Sequence, residues 1–330
     1  MTIKRLLLLP ILGALVAGTT LLGAAPSADD LTRPRPRAAV AAPAALKAML
    51  LGASWAGPRL VAVGEQGVVL LSDDQGRTVR QARTVPLDPT LTSVHFIDAS
   101  QGWAAGHWGV ILASRDGGET WQQQRLDLEQ DRPLFALHFF DAEHGVAVGL
   151  WSLVLTTNDG GRTWTERPLT PPPGSKRADL NLLSLFADSR GALYATAERG
   201  MLLRSDDRGA TWRYLSTGYK GSLWSGIALA DGTLLVGGQR GSMFRSDDAG
   251  QRWTPVTSGS RSSVTAFAER PKAVVAVGLE GLVTHSADGG RSFTERTRSD
   301  RLSLTAALVA ADGTWVFASR AGIVRGEPAR

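Results

Sequence analysis

The sequence predicts an all-β chain folded as a seven-bladed β-propeller of four-stranded antiparallel blades. Two series of local markers carry that prediction, one with six members and one with seven, at nearly constant spacing. A third observation agrees: after residue 25 no stretch shows the 3.6-residue period of an amphipathic helix.

The first series is Ser or Thr, any residue, Asp, any, Gly, any, Thr, then an aromatic. It begins as Ser72-Asp73-Asp74-Gln75-Gly76-Arg77-Thr78-Val79 and recurs from Ser114, Thr157, Ser205, Ser246 and Ser286. Successive starts lie 42, 43, 48, 41 and 40 residues apart, the period of a four-stranded blade. The Asp at positions 74, 116, 159, 207, 248 and 288 can accept hydrogen bonds from N–H groups of its own turn, so Asp74, Asp116, Asp159, Asp207, Asp248 and Asp288 are assigned structural roles. The Gly supplies a positive φ, and the aromatic is free to wedge between blades. This is the Asp-box, or BNR repeat. One copy would mean little; six at this spacing are specific.

The second series is an apolar strand, a two-residue turn and a second apolar strand that begins with Gly or Ser. The second strands begin at Gly67, Gly109, Ser152, Gly200, Gly241, Gly281 and Gly322, one more member than there are boxes. Blade seven therefore lacks the box and the strand after it. Residues 37–42 are expected to supply that outer strand and close the ring, because an open edge invites aggregation. The alternative is that the Pro/Ala-rich stretch 31–45 is a tether and blade seven keeps three strands. Blades are read as strands A to D, in blade two at residues 92–97, 102–106, 110–114 and 120–125.

The domain reading follows. Residues 1–25 are a signal peptide, with Lys4 and Arg5 before an apolar run that reaches Gly23, or else an uncleaved anchor. Residues 26–45 form the Pro/Ala-rich segment and 46–330 the propeller. The chain is expected to be exported and periplasmic. Its 330 residues include no cysteine, which excludes disulfides, thiolate chemistry and an acylated cysteine anchor. The formal net charge of +5 falls to about +3 once Lys4 and Arg5 are removed, too small to imply nucleic-acid binding. Five histidines show no ligand spacing, so no metal and no cofactor are expected; His95 and His138 occupy similar places on strand A of consecutive blades and are expected to be packed there.

At its boxes and their spacing the chain resembles the photosystem II stability/assembly factor family of BNR-type propellers. Gly117-Gly118-Glu119-Thr120-Trp121 and the stretch from Phe96-Ile97-Asp98 to Gly102-Trp103-Ala104 carry the likeness, which covers residues 46–325. Val79 and Phe293 depart from the Trp of the box, and the seventh box is missing. The resemblance implies a propeller that serves a membrane complex as an assembly or accessory factor. In bacteria without photosynthesis it suggests a place beside an inner-membrane transporter.

Turns between strands B and C, and linkers between blades, are expected on one face around the central channel. The turns carry Glu65-Gln66, His107-Trp108, Leu150-Trp151, Glu198-Arg199, Gln239-Arg240, Leu279-Glu280 and Arg320-Ala321. Trp108, Trp151, Arg199, Arg240 and Arg320 are of the types that dominate binding hot spots. With His107 and the linker residues Lys176, Arg177, Lys220, Arg261, Arg298 and Arg301 they form the candidate partner-binding set. Linker 165–179, with Pro171-Pro172-Pro173, is expected to project as a stiff arm. An aromatic half and an arginine half suit an extended protein segment with acidic groups or a free carboxylate. The alternatives are that these cations are only solvated and that the tryptophans plug the channel mouth. A monomer with a protein partner is expected.

Two competitors share the architecture. Sialidase-like glycoside hydrolases also carry Asp-boxes, but the chain has three tyrosines, Tyr194, Tyr214 and Tyr219, and lacks the Phe/Tyr-Arg-Ile-Pro signature. Glu65, Glu198 and Glu280 sit on separate blades with no evident carboxylate partner. A glycan-binding propeller could stack sugars on Trp108 and Trp151 but would leave the arginines without a role.

Overall fold

The computed structural model describes residues 36–326, and the segment assigned to a signal or anchor lies outside the described residues. Seven antiparallel sheets follow one another along the chain, at residues 50–81, 91–125, 134–166, 182–216, 223–257, 264–295 and 304–325. Among the described residues there is no α-helix, only strands and short 3₁₀ turns, and no helix is long and apolar enough to cross a membrane. Blade two runs Leu91–Phe96, Gly102–Gly106, Ile111–Ser114 and Gln122–Arg125, within two residues of the sequence reading.

Strand B of every blade is buried almost end to end, because both of its faces meet neighbouring sheets. The seams between blades are apolar. Trp121 of the second box packs with Val61 and Leu71 of blade one, and Phe293 of the sixth with Leu229, Leu235 and Met243 of blade five. Trp103 stacks on Phe139 of the next blade with ring centroids 3.6 Å apart and donates its indole N–H to Gly160 O at 3.0 Å.

The boxes are built as their residues require. In each, the first hydroxyl donates to Asp Oδ1 at 2.7–2.9 Å. Asp159 also accepts Thr163 N–H at 2.9 Å and Thr163 Oγ1–H at 2.6 Å. The second box glycine, such as Gly118 at φ 87°, sits in the left-handed region and lies against the preceding blade.

The expected closure differs. Six sheets have four strands, and blade seven has three: Leu304–Val309, Trp315–Ser319 and Gly322–Arg325. Residues 37–42 add no strand to it. Arg37 N–H donates to Asp88 Oδ1 at 3.0 Å, Ala39 N–H to Val85 O at 3.0 Å and Ala42 N–H to Gln81 Oε1 at 2.7 Å, on the outer strand of blade one and the linker that leaves it. The ring closes instead through its innermost strands. Thr305 Oγ1 donates to Leu50 O at 2.6 Å, repeating the contact that Thr92 makes to Leu134 O at 2.6 Å and Thr265 to Leu304 O at 2.7 Å.

Candidate functional site

The turns between strands B and C are tight and strained. Val110 N–H donates to His107 O at 3.2 Å, closing a turn whose two central residues are Trp108 (φ 56°, ψ 27°) and Gly109 (φ 55°). This is the mirror-image type I′ turn that suits the twist of a hairpin. The tip therefore falls one residue later than the sequence suggested, on Trp108-Gly109 rather than His107-Trp108. Gln66, Trp151, Arg199, Arg240 and Glu280 occupy the same left-handed position at φ 52–58°. In blade three the second central residue is Ser152, also at positive φ (57°). A non-glycine residue here is uncommon, and for a bulky one it is an outlier.

The linkers stitch these turns into a ring. Trp108 N–H donates to Asp131 Oδ1 at 3.1 Å, and Leu150 N–H of the next blade to Pro133 O at 3.0 Å. Trp151 N–H donates to Asn181 Oδ1 at 3.1 Å, while Asn181 N–H donates to Glu198 Oε2 at 3.0 Å. Gly200 N–H and Gln239 N–H reach Gly221 O and Ser222 O. Ser263 joins blades five and six through Arg240 N–H (3.2 Å to Oγ) and Leu279 N–H (3.0 Å to O). Ser303 does the same for Glu280 N–H (3.1 Å) and Arg320 N–H (3.2 Å). Across the closure, Gly322 N–H meets Ala48 O and Glu65 N–H meets Met49 O. The turns of successive blades thus share one face, with Trp108, Trp151, Arg199, Arg240 and Arg320 in ring order.

Exposure on that face is uneven. Trp151 is 63% exposed, the only exposed large aromatic among the described residues. Trp108 and His107 are half-buried. Arg199, Arg240, Arg320, Lys176, Arg177, Lys220, Arg261 and Arg301 are exposed, and Arg298 is half-buried. Arg301 pairs with Glu280 at 3.1 Å, Arg298 with Asp300 at 2.5 Å, and Arg199 is 3.8 Å from Asp179. Among the described residues, Arg240, Arg320, Arg261, Lys176, Arg177 and Lys220 make no ion pair. Arg261 and Arg301 meet over a polar hollow of about 420 Å³ with Ser262, Ser263 and Glu280.

Linker 165–179 is not a free arm. Pro172 is buried, Leu169 packs beside Tyr214, and Tyr214 Oη donates to Thr170 O at 2.9 Å. Leu169 finds a surface on blade four, while Pro173, Gly174, Lys176 and Arg177 are exposed.

The carboxylates of the face are occupied. Glu65 Oε1 accepts Met49 N–H, Glu198 accepts both Asn181 N–H and Asn181 Nδ2–H, and Glu280 holds Arg301. The rings of His95 and His138 lie tilted with centroids 4.7 Å apart, and burial pulls their pKa values down to about 3 and about 4. Among the described residues no group of three or more His, Cys, Asp or Glu could hold a metal. Reading the sequence missed Asp131, Asn181, Ser263 and Ser303. Their one signal is a short polar residue just before strand A, which is common in any loop.

Fold and face together define a BNR-type β-propeller with a cationic, tryptophan-bearing end. The model of the photosynthesis system II assembly factor YCF48 family matches residues 79–136 and 125–273, and the chain belongs to that family. Among solved structures it is similar to a YCF48 bound to a D1 peptide: 19% identity, TM-score 0.71, covering 90% of this chain and 98% of that one. YCF48 from Cyanidioschyzon merolae is similar at 15% identity and TM-score 0.67, over 88% and 98%. No curated protein matches.

Proposed function

We propose that this protein is a non-catalytic periplasmic scaffold, an assembly or accessory factor that docks a segment of a membrane protein on its channel face. The observation that carries the reading is the joint placement of an exposed, strained Trp151 and unpaired arginines on one ring of turns. Strain of this kind gathers where a side chain is kept for contact rather than for packing. A relative of the same family is bound to a peptide, which supports a protein ligand. Arg240 and Arg320 favour a segment with carboxylates, held bidentately, while the indole offers a stacking surface. Glu65, Glu198 and Glu280 are engaged in holding linkers or an arginine, which supports binding without hydrolysis. An inner-membrane transporter is the partner class this reading favours.

The test is crosslinking in intact cells from photoreactive residues placed at 66, 151, 240 and 320, with mass spectrometry of the trapped peptides. The expected result is one membrane protein, crosslinked through the same acidic segment from several positions. Sialoside or glucan cleavage by the purified protein, or crosslinks confined to other surfaces, would overturn it.

A further inference from the structure

Blade seven stops one strand short: the 3₁₀ turn Pro43–Lys47 lies against the start of its strand C, and among the described residues no strand takes the fourth place beyond it. Its strand C, Gly322–Arg325, pairs with strand B on one side, and among the described residues no strand lies on the other. In blades one, three and six a carbonyl of strand C accepts an N–H from the strand outside it. Val69 receives Ala82 at 2.9 Å, Val154 receives Arg167 at 2.8 Å, and Val283 receives Arg296 at 2.6 Å. By register the corresponding carbonyl in blade seven is that of Ile323, opposite Ala318 as Val283 is opposite Val277. The ladder agrees. Gly326 N–H donates to Trp315 O at 2.8 Å, so alternate residues back from it turn inward, and the main-chain groups of Ile323 and Arg325 turn outward.

A shaped groove runs beside this edge. In the seams ahead of blades two to six the box aromatic fills the space against the preceding blade, and blade seven has no box. Its own strand B compensates in part, with Trp315 where blades two and three have Gly102 and Gly145, and Phe317 where they have Ala104 and Ala147. A cavity of about 830 Å³ remains between blades six and seven, floored by Trp315, Phe317 and Val283 and bordered by Arg270, Arg296 and Arg298. The carboxylate on its wall, Asp288, is taken up by Ser286, Arg291 and Ser292 of its own box. Among the described residues Arg270 and Arg296 make no ion pair; Arg270 lies 4.6 Å over the Trp315 ring.

We propose that this edge and groove take an extended acidic segment of another protein as a fourth strand. Its main chain pairs with Ile323 and Arg325, an apolar side chain rests on Trp315 and Phe317, and its carboxylates face Arg270 and Arg296. Residues 37–42, the occupant the sequence suggested, lie on blade one. The site shares Arg298 with the candidate set of the channel face but is otherwise built from other residues, and the inference does not rest on the function proposed for that face.

The experiment uses the whole protein and a fluorescein-labelled heptapeptide alternating glutamate with valine. Anisotropy gives affinity and amide hydrogen exchange locates the contact. Binding is expected to slow exchange at Ile323 and Arg325, and Arg296→Glu, a change at an exposed residue, is expected to weaken it about tenfold or more. A peptide with lysine in place of glutamate is expected not to compete. Arg199→Glu with Arg240→Glu is expected to leave protection at Ile323 and Arg325 intact, which separates this site from the channel face. Unslowed exchange at those amides under saturating peptide, or undiminished affinity in Arg296→Glu, would sink the proposal. So would amides already protected in the protein alone, the mark of a covering terminus, or a dimer that dissociates as peptide is added.

Discussion

Replacing Trp151 with glycine separates a binding role from a packing role. The residue sits at φ 52°, ψ 52° with 63% of its surface exposed. Left-handed backbone costs an ordinary residue about 1–2 kcal/mol, and glycine forgoes that cost while losing about 0.5–1 kcal/mol more chain entropy on folding. The covered third of the indole offsets at most about 1–2 kcal/mol when removed. These contributions nearly cancel, so Trp151→Gly should change stability by no more than about 1 kcal/mol, a shift of a few degrees in Tm. Trp103 is the contrast: it is buried, stacked on Phe139 and hydrogen-bonded to Gly160, and Trp103→Ala should cost about 3–5 kcal/mol. Partner affinity should behave the other way, falling more than about tenfold in Trp151→Gly if the indole is an anchor. Urea melts and titration with the crosslinked partner segment measure both. A loss of more than about 2 kcal/mol in Trp151→Gly, with affinity kept, would show that the indole plugs the channel mouth.

Other expectations follow from the same geometry. Asp159→Ala removes an acceptor of three hydrogen bonds and should cost about 2–3 kcal/mol by urea melt; a loss under about 0.5 kcal/mol would show that the box is not held by its carboxylate. His95 and His138 are held down to about 3 and about 4, chiefly by burial, so the folded state stays neutral while the unfolded chain takes up protons below about 6.5. Their contribution is present at pH 7 and is lost as pH falls, by about 2 kcal/mol per ring between pH 7 and 5. A flat stability profile over that range would contradict the burial. The mature protein should be recovered from the periplasm with its N-terminus near residue 26; cytoplasmic recovery with Lys4 and Arg5 retained would refute export.

The blades were legible because each Asp-box needs a fixed set of side chains, and six sets at a regular period leave few alternatives. Strand limits in blade two followed from the same markers. Ring closure was not legible. Residues 37–42 are apolar enough to pass for an edge strand, and only the contacts of Ala39 and Ala42 show that blade one holds them. The turn tips were misplaced by one residue because Trp108, Trp151, Arg199 and Arg240 carry a backbone conformation usually left to Gly or Asn. The linker residues Ser263 and Ser303 were invisible, since a serine in a loop has no pattern to mark it. Blade seven's groove depends on Trp315 and Phe317 replacing small residues, a difference that matters only once the register is known.

The docking face is tested most directly by reversing two charges. Arg199→Glu with Arg240→Glu changes exposed side chains at successive turns and leaves the backbone bonds to Gly221 and Ser263 in place. Capture of the membrane-protein partner should be abolished while the thermal melt stays within a few degrees of the unaltered protein. Undiminished capture by a folded double variant would contradict the assignment of the partner to this face.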